Sequence, residues 1–348
     1  MGADGPEYPL MRILVVSDAW YPQVNGVVRT VATVAAELEA LGHKVLVAGP
    51  DQFRTMPCPT YPDIRLALFP RRRLDRIVAE FRPDALHIAT EGPLGFSARA
   101  FALRHGWQFT TSFHTKIAEY LKARTGIPLG ITYSVLRRFH NAGAGTMAAT
   151  DSLCRELVTR GFTQVRKWSR GVDLTQFKPE PRAVYDFPRP IFAYVGRVAV
   201  EKNIGAFLDL DLPGSKIVVG GGPQLAELKK RYPLVHFLGP KSNGELAAAY
   251  AGADVKVFPS RTDTFGLVLL ESLACGTPVA AFPVTGPLDV VTEEVGSLNE
   301  DLRAACLAAL TRDRAACRAY AERFSWRACT ELFVEHLVVT HPEASKAA

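Results

Sequence analysis

The sequence predicts an α/β protein built from two doubly wound domains. Three features carry that expectation. Short apolar stretches alternate with helical ones in both halves, as parallel strands buried on both faces require. A proline-rich segment, residues 177–189, separates the halves and reads as a linker. The chain has 348 residues, 48% of them hydrophobic, which is enough for two buried cores.

Residues 1–10 read as an unstructured leader, with the first domain over 11–180. Residues 12–17 form the first continuous apolar strand, and 18–25 a turn-rich loop. A helix runs from Gly26 to Leu41 and is closed by Gly42. Further strands are expected at 44–49, 84–89, 109–113 and 145–150. Residues 116–141 have a helical pattern broken by Gly126-Ile127-Pro128. This stretch mixes Lys116, Lys122, Arg124, Arg137 and Arg138 with Ile117, Tyr120, Leu121, Ile127, Leu129, Ile131 and Tyr133. It suits an anionic bilayer surface, or equally two helices covering the sheet with solvated charges. The second domain, residues 190–322, has strand patterns at 190–196, 216–220, 235–238, 255–258 and 278–282. The two domains are expected to face each other across a cleft.

Composition narrows the function classes. The six cysteines are scattered without a Cys-x-x-Cys or Cys/His cluster, which argues against disulfide and zinc frameworks and fits a reducing cytosol. No apolar run reaches the ~18 residues of a membrane span. The net charge of +6 is uneven: residues 1–180 carry 23 basic and 16 acidic side chains, a net +7. That half could meet an acidic substrate or an anionic membrane. No nucleic-acid-binding motif accompanies the charge, so no nucleic-acid partner is expected.

Several strand ends carry chemistry. After the strand 254–258 comes a loop with Ser260, Arg261 and Asp263, then a helix 267–274 stopped by Gly276-Thr277-Pro278. Free backbone N–H groups around Thr264, Phe265, Gly266 and Leu267 would suit an anion at that helix start. Glu271 falls eight residues after Asp263 and about two turns inside the helix, so the two carboxylates can flank one ligand. Arg197 and Lys202 follow the first strand of the second domain, where cations can bind a diphosphate. Gly220-Gly221-Gly222 follows the next strand as either a ligand contact or a packing turn. In the first domain, His114 ends a strand as part of Ser112-Phe113-His114-Thr115. Val24-Asn25-Gly26 opens the first helix, and Asp18 lies in the loop before it. Glu91, within Thr90-Glu91-Gly92-Pro93-Leu94-Gly95, is an acceptor contact or a helix cap.

In this order the motifs resemble the retaining nucleotide-sugar glycosyltransferases of family four, which have the GT-B architecture of two Rossmann-like domains. They are most similar to bacterial lipid glycosyltransferases and GDP-mannose-dependent alpha-mannosyltransferases. The resemblance spans roughly residues 11–337, and residues 323–340 look like the last helix that in the family crosses back to the first domain. It implies donor pyrophosphate binding by Arg197 and Lys202, and ribose binding by Glu271. Asp263 would hold sugar hydroxyls or phosphate with the Thr264–Leu267 backbone. Gly26 and Gly222 would leave room for the donor, His114 would contact the sugar, and Asp18 and Glu91 would face the acceptor. The chain departs from the family at Asp263, usually Glu, at Gly221, often acidic, and at Asn25, often a second glycine. The implied reaction needs no cofactor or metal, because the two cations take up the diphosphate charge and the leaving phosphate acts as base. The implied partners are a UDP- or GDP-sugar and a lipid such as diacylglycerol, on the inner face of the cytoplasmic membrane. A soluble mannosyl- or glucosyltransferase, a non-catalytic nucleotide-sugar binder and an epimerase are the competing readings, and the oligomeric state is left open.

Overall fold

A computed structural model describes residues 9–23, 25–58, 61–181 and 185–340. Most of the expected leader, and Val24 of the helix-opening motif, lie outside them. The chain divides into two compact units.

The first unit begins with β1 (Arg12–Val16), α1 (Gly26–Ala40) and β2 (Lys44–Ala48). A hairpin of β3 (Thr55–Cys58) and β4 (Tyr61–Ala67) leads into α2 (Arg71–Phe81). Then come β5 (Ala85–Ile88), α3 (Pro93–Arg104), β6 (Thr110–Phe113), α4 (Ile117–Thr125), α5 (Leu129–His140), β7 (Gly145–Ala148), α6 (Asp151–Thr159) and β8 (Val165–Lys167). The sheet order is β2-β1-β5-β6-β7-β8, with every pairing parallel. The chain winds outward from β1 to β2, then crosses back to β5. This leaves a switch point between β1 and β5, where ligands of such sheets bind. One face of the sheet packs Leu14, Val16, Leu86 and Ile88 against α2 and α3, and the other packs Ile13 and Val15 against α1.

The second unit contains β9 (Ile191–Val195), α7 (Gly205–Leu208), β10 (Ser215–Val219), α8 (Leu225–Arg231), β11 (His236–Gly239), α9 (Asn243–Gly252) and β12 (Val255–Phe258). It continues with α10 (Leu267–Ala274), β13 (Val279–Ala281), α11 (Pro287–Val290), β14 (Gly296–Leu298), α12 (Leu302–Ala309) and α13 (Arg314–Ala321). Its sheet runs β11-β10-β9-β12-β13-β14, again all parallel, with the switch point between β9 and β12. Both units are therefore Rossmann-like.

The unit boundaries differ from the expected domain limits. Residues from Arg170 onward belong to the second unit, rather than from about 190. Phe177 is buried, its carbonyl accepts from Arg318 of α13 at 2.8 Å, and Val172 N donates to Phe324 O at 3.1 Å. Glu119–Thr125 also belongs there, taking most of α4 with it. The last helix, α14 (Trp326–His336), belongs to the first unit. Trp168 there donates its indole N–H to Cys329 O at 3.0 Å and packs on Phe333, while Thr340 N donates to Asp84 O at 2.8 Å.

Candidate active site

In the second unit, β9 ends at Val195 and releases Gly196 and Arg197 into a loop that closes with a 3-10 turn, Val200–Lys202. Asn203 ends that turn in the left-handed region (φ 52°), a conformation that asparagine tolerates better than most residues. Its side chain donates to Pro259 O at 3.0 Å, in the loop after β12. The Ser260 and Thr262 hydroxyls both reach Glu201 O, at 3.5 and 3.3 Å. The two loops at the switch point are thus stitched together through backbone carbonyls.

Lys202 and Asp263 meet at the centre of this arrangement, with Nζ 2.6 Å from Oδ1 and side chains 21% and 16% exposed. Burial is the largest single influence on the Lys202 ammonium and pulls it down, but Asp263 with the nearby Tyr120 and Tyr194 phenols together raises the group above its ordinary value. Burial is the largest single influence on the Asp263 carboxyl and pushes it up, but Lys202, Ser260 and Lys256 together hold it below the usual carboxylate range. Both groups are therefore charged at neutral pH. The second oxygen of Asp263, Oδ2, is buried and has no hydrogen-bond partner among the described residues. A sugar hydroxyl would satisfy that acceptor.

The segment from α4 adds a wall to this site. Arg124 pairs with Glu201 at 2.9 Å, and the Tyr120 phenol, close to Lys202, Asp263 and Glu201, is pushed up to about 12 chiefly by burial. It is a neutral hydrogen-bonding group at physiological pH. Two residues of the 116–141 stretch are thus engaged at this loop, and Lys116 is buried against Glu156 at 2.7 Å.

Gly220 and Gly222 have a packing reason. A Cβ on Gly220 would lie 1.9 Å from Gly196 O, and one on Gly222 would lie 2.3 Å from Val198 O. Val198 N donates to Gly221 O at 2.8 Å. The glycine loop buttresses the Arg197 loop by close backbone approach.

Helix α10 starts after Gly266, which has a φ of 85° and makes no side-chain cap. The first N–H groups of α10 are left for a ligand or water. Phe265 is buried, while Thr264, Gly266 and Leu267 are half-buried at the mouth of the loop. Glu271 is four residues past the first helical residue, just over one turn inside rather than two, because the helix begins at Leu267. It is 4% exposed and accepts from the Tyr250 hydroxyl at 2.8 Å.

In the first unit, Asp18 and Gly26 follow β1, Glu91 follows β5 and His114 follows β6. Asp18 is 7% exposed and caps α3 from a distance. Its carboxylate accepts from Leu94 N at 2.8 Å, Gly95 N at 3.2 Å and Thr90 Oγ1 at 3.0 Å. Burial raises its carboxyl despite these bonds. Glu91 is half-buried, with its side chain 4% exposed, and receives His140 Nε2 at 3.0 Å, while His140 Nδ1 lies 2.8 Å from Thr111 Oγ1. Gly26 is exposed at the start of α1, where the Asn25 side chain accepts from Val27 N and Val28 N. His114 is half-buried after β6, edge-on to Trp168 with ring centres 5.7 Å apart.

One triplet sets a trap for metal-motif reading: Asp209-Leu210-Asp211 has the Asp-x-Asp spacing. It precedes β10, at the amino ends of the strands and away from the switch-point loops. Asp209 there accepts from the Tyr232 hydroxyl at 2.5 Å. Among the described residues no group of three or more His, Cys, Asp or Glu could hold a metal ion.

Residues 24–176 match the family model described as Glycosyltransferase Family 4, and 178–325 that described as Glycosyl transferases group 1. The chain is 30% identical to a GDP-mannose-dependent alpha-mannosyltransferase of Mycobacterium tuberculosis, over 81% of this chain and 82% of that protein. It is 27% identical to an alpha-monoglucosyldiacylglycerol synthase of Streptococcus pneumoniae, over 78% and 71%. Its fold superposes on a sucrose-phosphate synthase from Thermosynechococcus elongatus with a TM-score of 0.72, at 22% identity, covering 93% and 97% of the two chains. With two Rossmann-like units, and with Arg197, Lys202 and Asp263 on the switch-point loops of the second, the chain belongs to the GT-B glycosyltransferases that join a family 4 domain to a group 1 domain, enzymes that use nucleotide sugars.

Proposed function

We propose that this glycosyltransferase moves a hexose from a UDP- or GDP-sugar to a membrane lipid such as diacylglycerol, with retention at the anomeric carbon. The observation that carries the donor half is the Lys202–Asp263 pair, with Asp263 in the loop that leads into the uncapped start of α10. Arg197 and Lys202 would take up the charge that develops on the departing diphosphate, and Asp263 Oδ2 would accept a sugar hydroxyl. Glu271 would bind the ribose, and His114 would support chemistry at the anomeric carbon. The acceptor hydroxyl attacks on the face that the diphosphate leaves, through an oxocarbenium-like state. Its proton passes to the leaving phosphate oxygen. Because two fixed cations serve the diphosphate, turnover is expected to survive EDTA.

The lipid half is supported by one face of α5. Ile131 and Val135 are 61% and 50% exposed there, next to Ile127 at 38%. Arg137 and Arg138 are exposed on the same helix. Phe96 of α3 is 42% exposed and packs edge-on to Phe139 of α5. An apolar surface fringed with cations suits an anionic bilayer and would hold the enzyme on the cytoplasmic face. Among the described residues no helix is long and apolar enough to cross a membrane. The similarity to an alpha-monoglucosyldiacylglycerol synthase points the same way.

The test is a donor panel of UDP-glucose, UDP-galactose, UDP-glucuronate and GDP-mannose with membrane extract, read by mass spectrometry of the lipids and NMR of the new linkage. An α-linked glycolipid from one donor is the expected product. Transfer only to a soluble glycan or small molecule would sink the lipid reading and leave the donor site standing.

A further inference from the structure

Lys256 stands second in β12, between Val255 and Val257, in the interior of the second sheet. Its side chain is 0% exposed. Lysine is almost never fully buried unless its charge is matched. Here the match is partial: Nζ donates to Val195 O at 2.9 Å and lies 4.8 Å from the centre of the Tyr194 ring. An ammonium carries three donors, so one carbonyl and one aromatic face leave it under-coordinated.

Its position is more telling than its burial. Val195 is the last residue of β9, directly before Gly196 and Arg197. The Tyr194 hydroxyl donates to Arg197 O at 2.6 Å. A buried amine and a buried phenol therefore hold the carbonyls on either side of Gly196. They fix which way that turn faces. The titratable groups around the amine are Tyr194 on β9, Lys202 in the 3-10 turn, Asp263 in the loop after β12 and Glu271 on α10. Burial is the largest influence and lowers the amine to about 7, with Lys202 adding to the fall and Glu271 and Asp263 opposing it.

We propose that Lys256 is a positioning residue for the donor diphosphate, and that binding of a nucleotide sugar draws a proton from solvent onto its amine. The inference rests on the donor-site reading of Arg197 and Lys202. Bound diphosphate brings negative charge to the turn whose Val195 carbonyl the amine holds and displaces screening water, both of which favour the ammonium. The amine lone pair takes the proton from the buffer, and no bond of the donor breaks. The charged amine keeps its bond to Val195 and adds a third cation beneath Arg197 and Lys202.

The experiment is calorimetric binding of UDP-glucose and GDP-mannose to the full chain, in pairs of buffers with different ionisation heats. The diphosphate of these sugars does not itself titrate near neutral pH. At about pH 8 the wild type should take up a large fraction of one proton per ligand, and at about pH 5.5, where the amine is already charged, almost none. Lys256→Met should bind roughly tenfold more weakly and lose the uptake. Circular dichroism checks that this variant is folded, and if it is not, the wild-type pH series decides alone. Ligand binding without proton uptake at the higher pH, or with uptake unchanged in Lys256→Met, overturns the proposal and leaves the donor site intact. If neither sugar binds, the titration is repeated with UDP-galactose and UDP-glucuronate, and binding of none of the four removes the donor site and the proposal with it.

Discussion

Lys202 and Asp263 are each other's reason for being charged. Replacing Lys202 with Met removes a cation from the diphosphate and should lower kcat/KM by about 10²- to 10³-fold, measured on whichever donor the panel identifies. The pair also ties stability to pH. Asp263 titrates below its ordinary 3.8, so its contribution is present above that value and is lost as pH falls through the depressed one. Lys202 titrates above its ordinary 10.5, so its contribution is complete below that value and is lost only as pH rises through the raised one. The stability gap between wild type and Asp263→Asn should therefore shrink below 3.8 in urea titrations. Asp18 makes a different case. Its three bonds to Thr90, Leu94 and Gly95 give it the work of a helix cap, whatever it does for an acceptor. Asp18→Ala should cost about 2 kcal/mol of unfolding free energy, and Asp18→Asn less, because an amide oxygen still accepts. Urea unfolding curves for both variants separate these outcomes.

Among the elements, the loop after β9 depends most on its neighbours. It is held by Gly220 and Gly222 on one flank and by Asn203, Ser260 and Thr262 on the other. Gly220→Ala would put a methyl carbon 1.9 Å from Gly196 O, a backbone atom that cannot step aside without moving Arg197. That variant should lose donor binding by about tenfold or more, while a methyl on Gly221, nearest Pro240 at 3.7 Å, should be tolerated. Calorimetric titration of both variants with a nucleotide sugar tests the contrast. Sequence patterning captured the buried central strands here, because β9 is an unbroken apolar run and β12 departs from one only at Lys256. It missed the β3–β4 hairpin, β8 and β14. These are short or peripheral, and β8 offers only Val165, Arg166 and Lys167, half-buried to exposed at a sheet edge.

The whole molecule is charged unevenly, with the net +7 of residues 1–180 set against −1 for the rest. If α5 meets lipid, liposome flotation should require anionic lipid and weaken as salt rises, since the Debye length shrinks from ~10 Å at 0.1 M to ~3 Å at 1 M. Ile131→Glu with Val135→Glu should abolish flotation without changing the thermal midpoint, because both side chains are largely exposed. Flotation of that double variant equal to wild type would remove the bilayer role of α5. At the same scale, the division of the chain falls at Arg170 rather than within the proline-rich stretch. Phe177 and its carbonyl are held by second-unit groups that lie far along the sequence.

The sequence by itself determined the two Rossmann-like sheets, the strand ends that carry Arg197, Lys202 and Asp263, and the family they belong to. Apolar periodicity and the spacing of charged residues after strands are local properties, and they survive in one dimension. Only the tertiary structure decided which groups answer one another. It spent Asp18 on α3 and Glu91 on His140, set Lys202 against Asp263 and Glu271 against Tyr250, and hung the Lys256 amine on the Val195 carbonyl. Those pairings join residues 21 to 77 positions apart, and burial shapes their charges, so no reading of neighbours along the chain could have shown them.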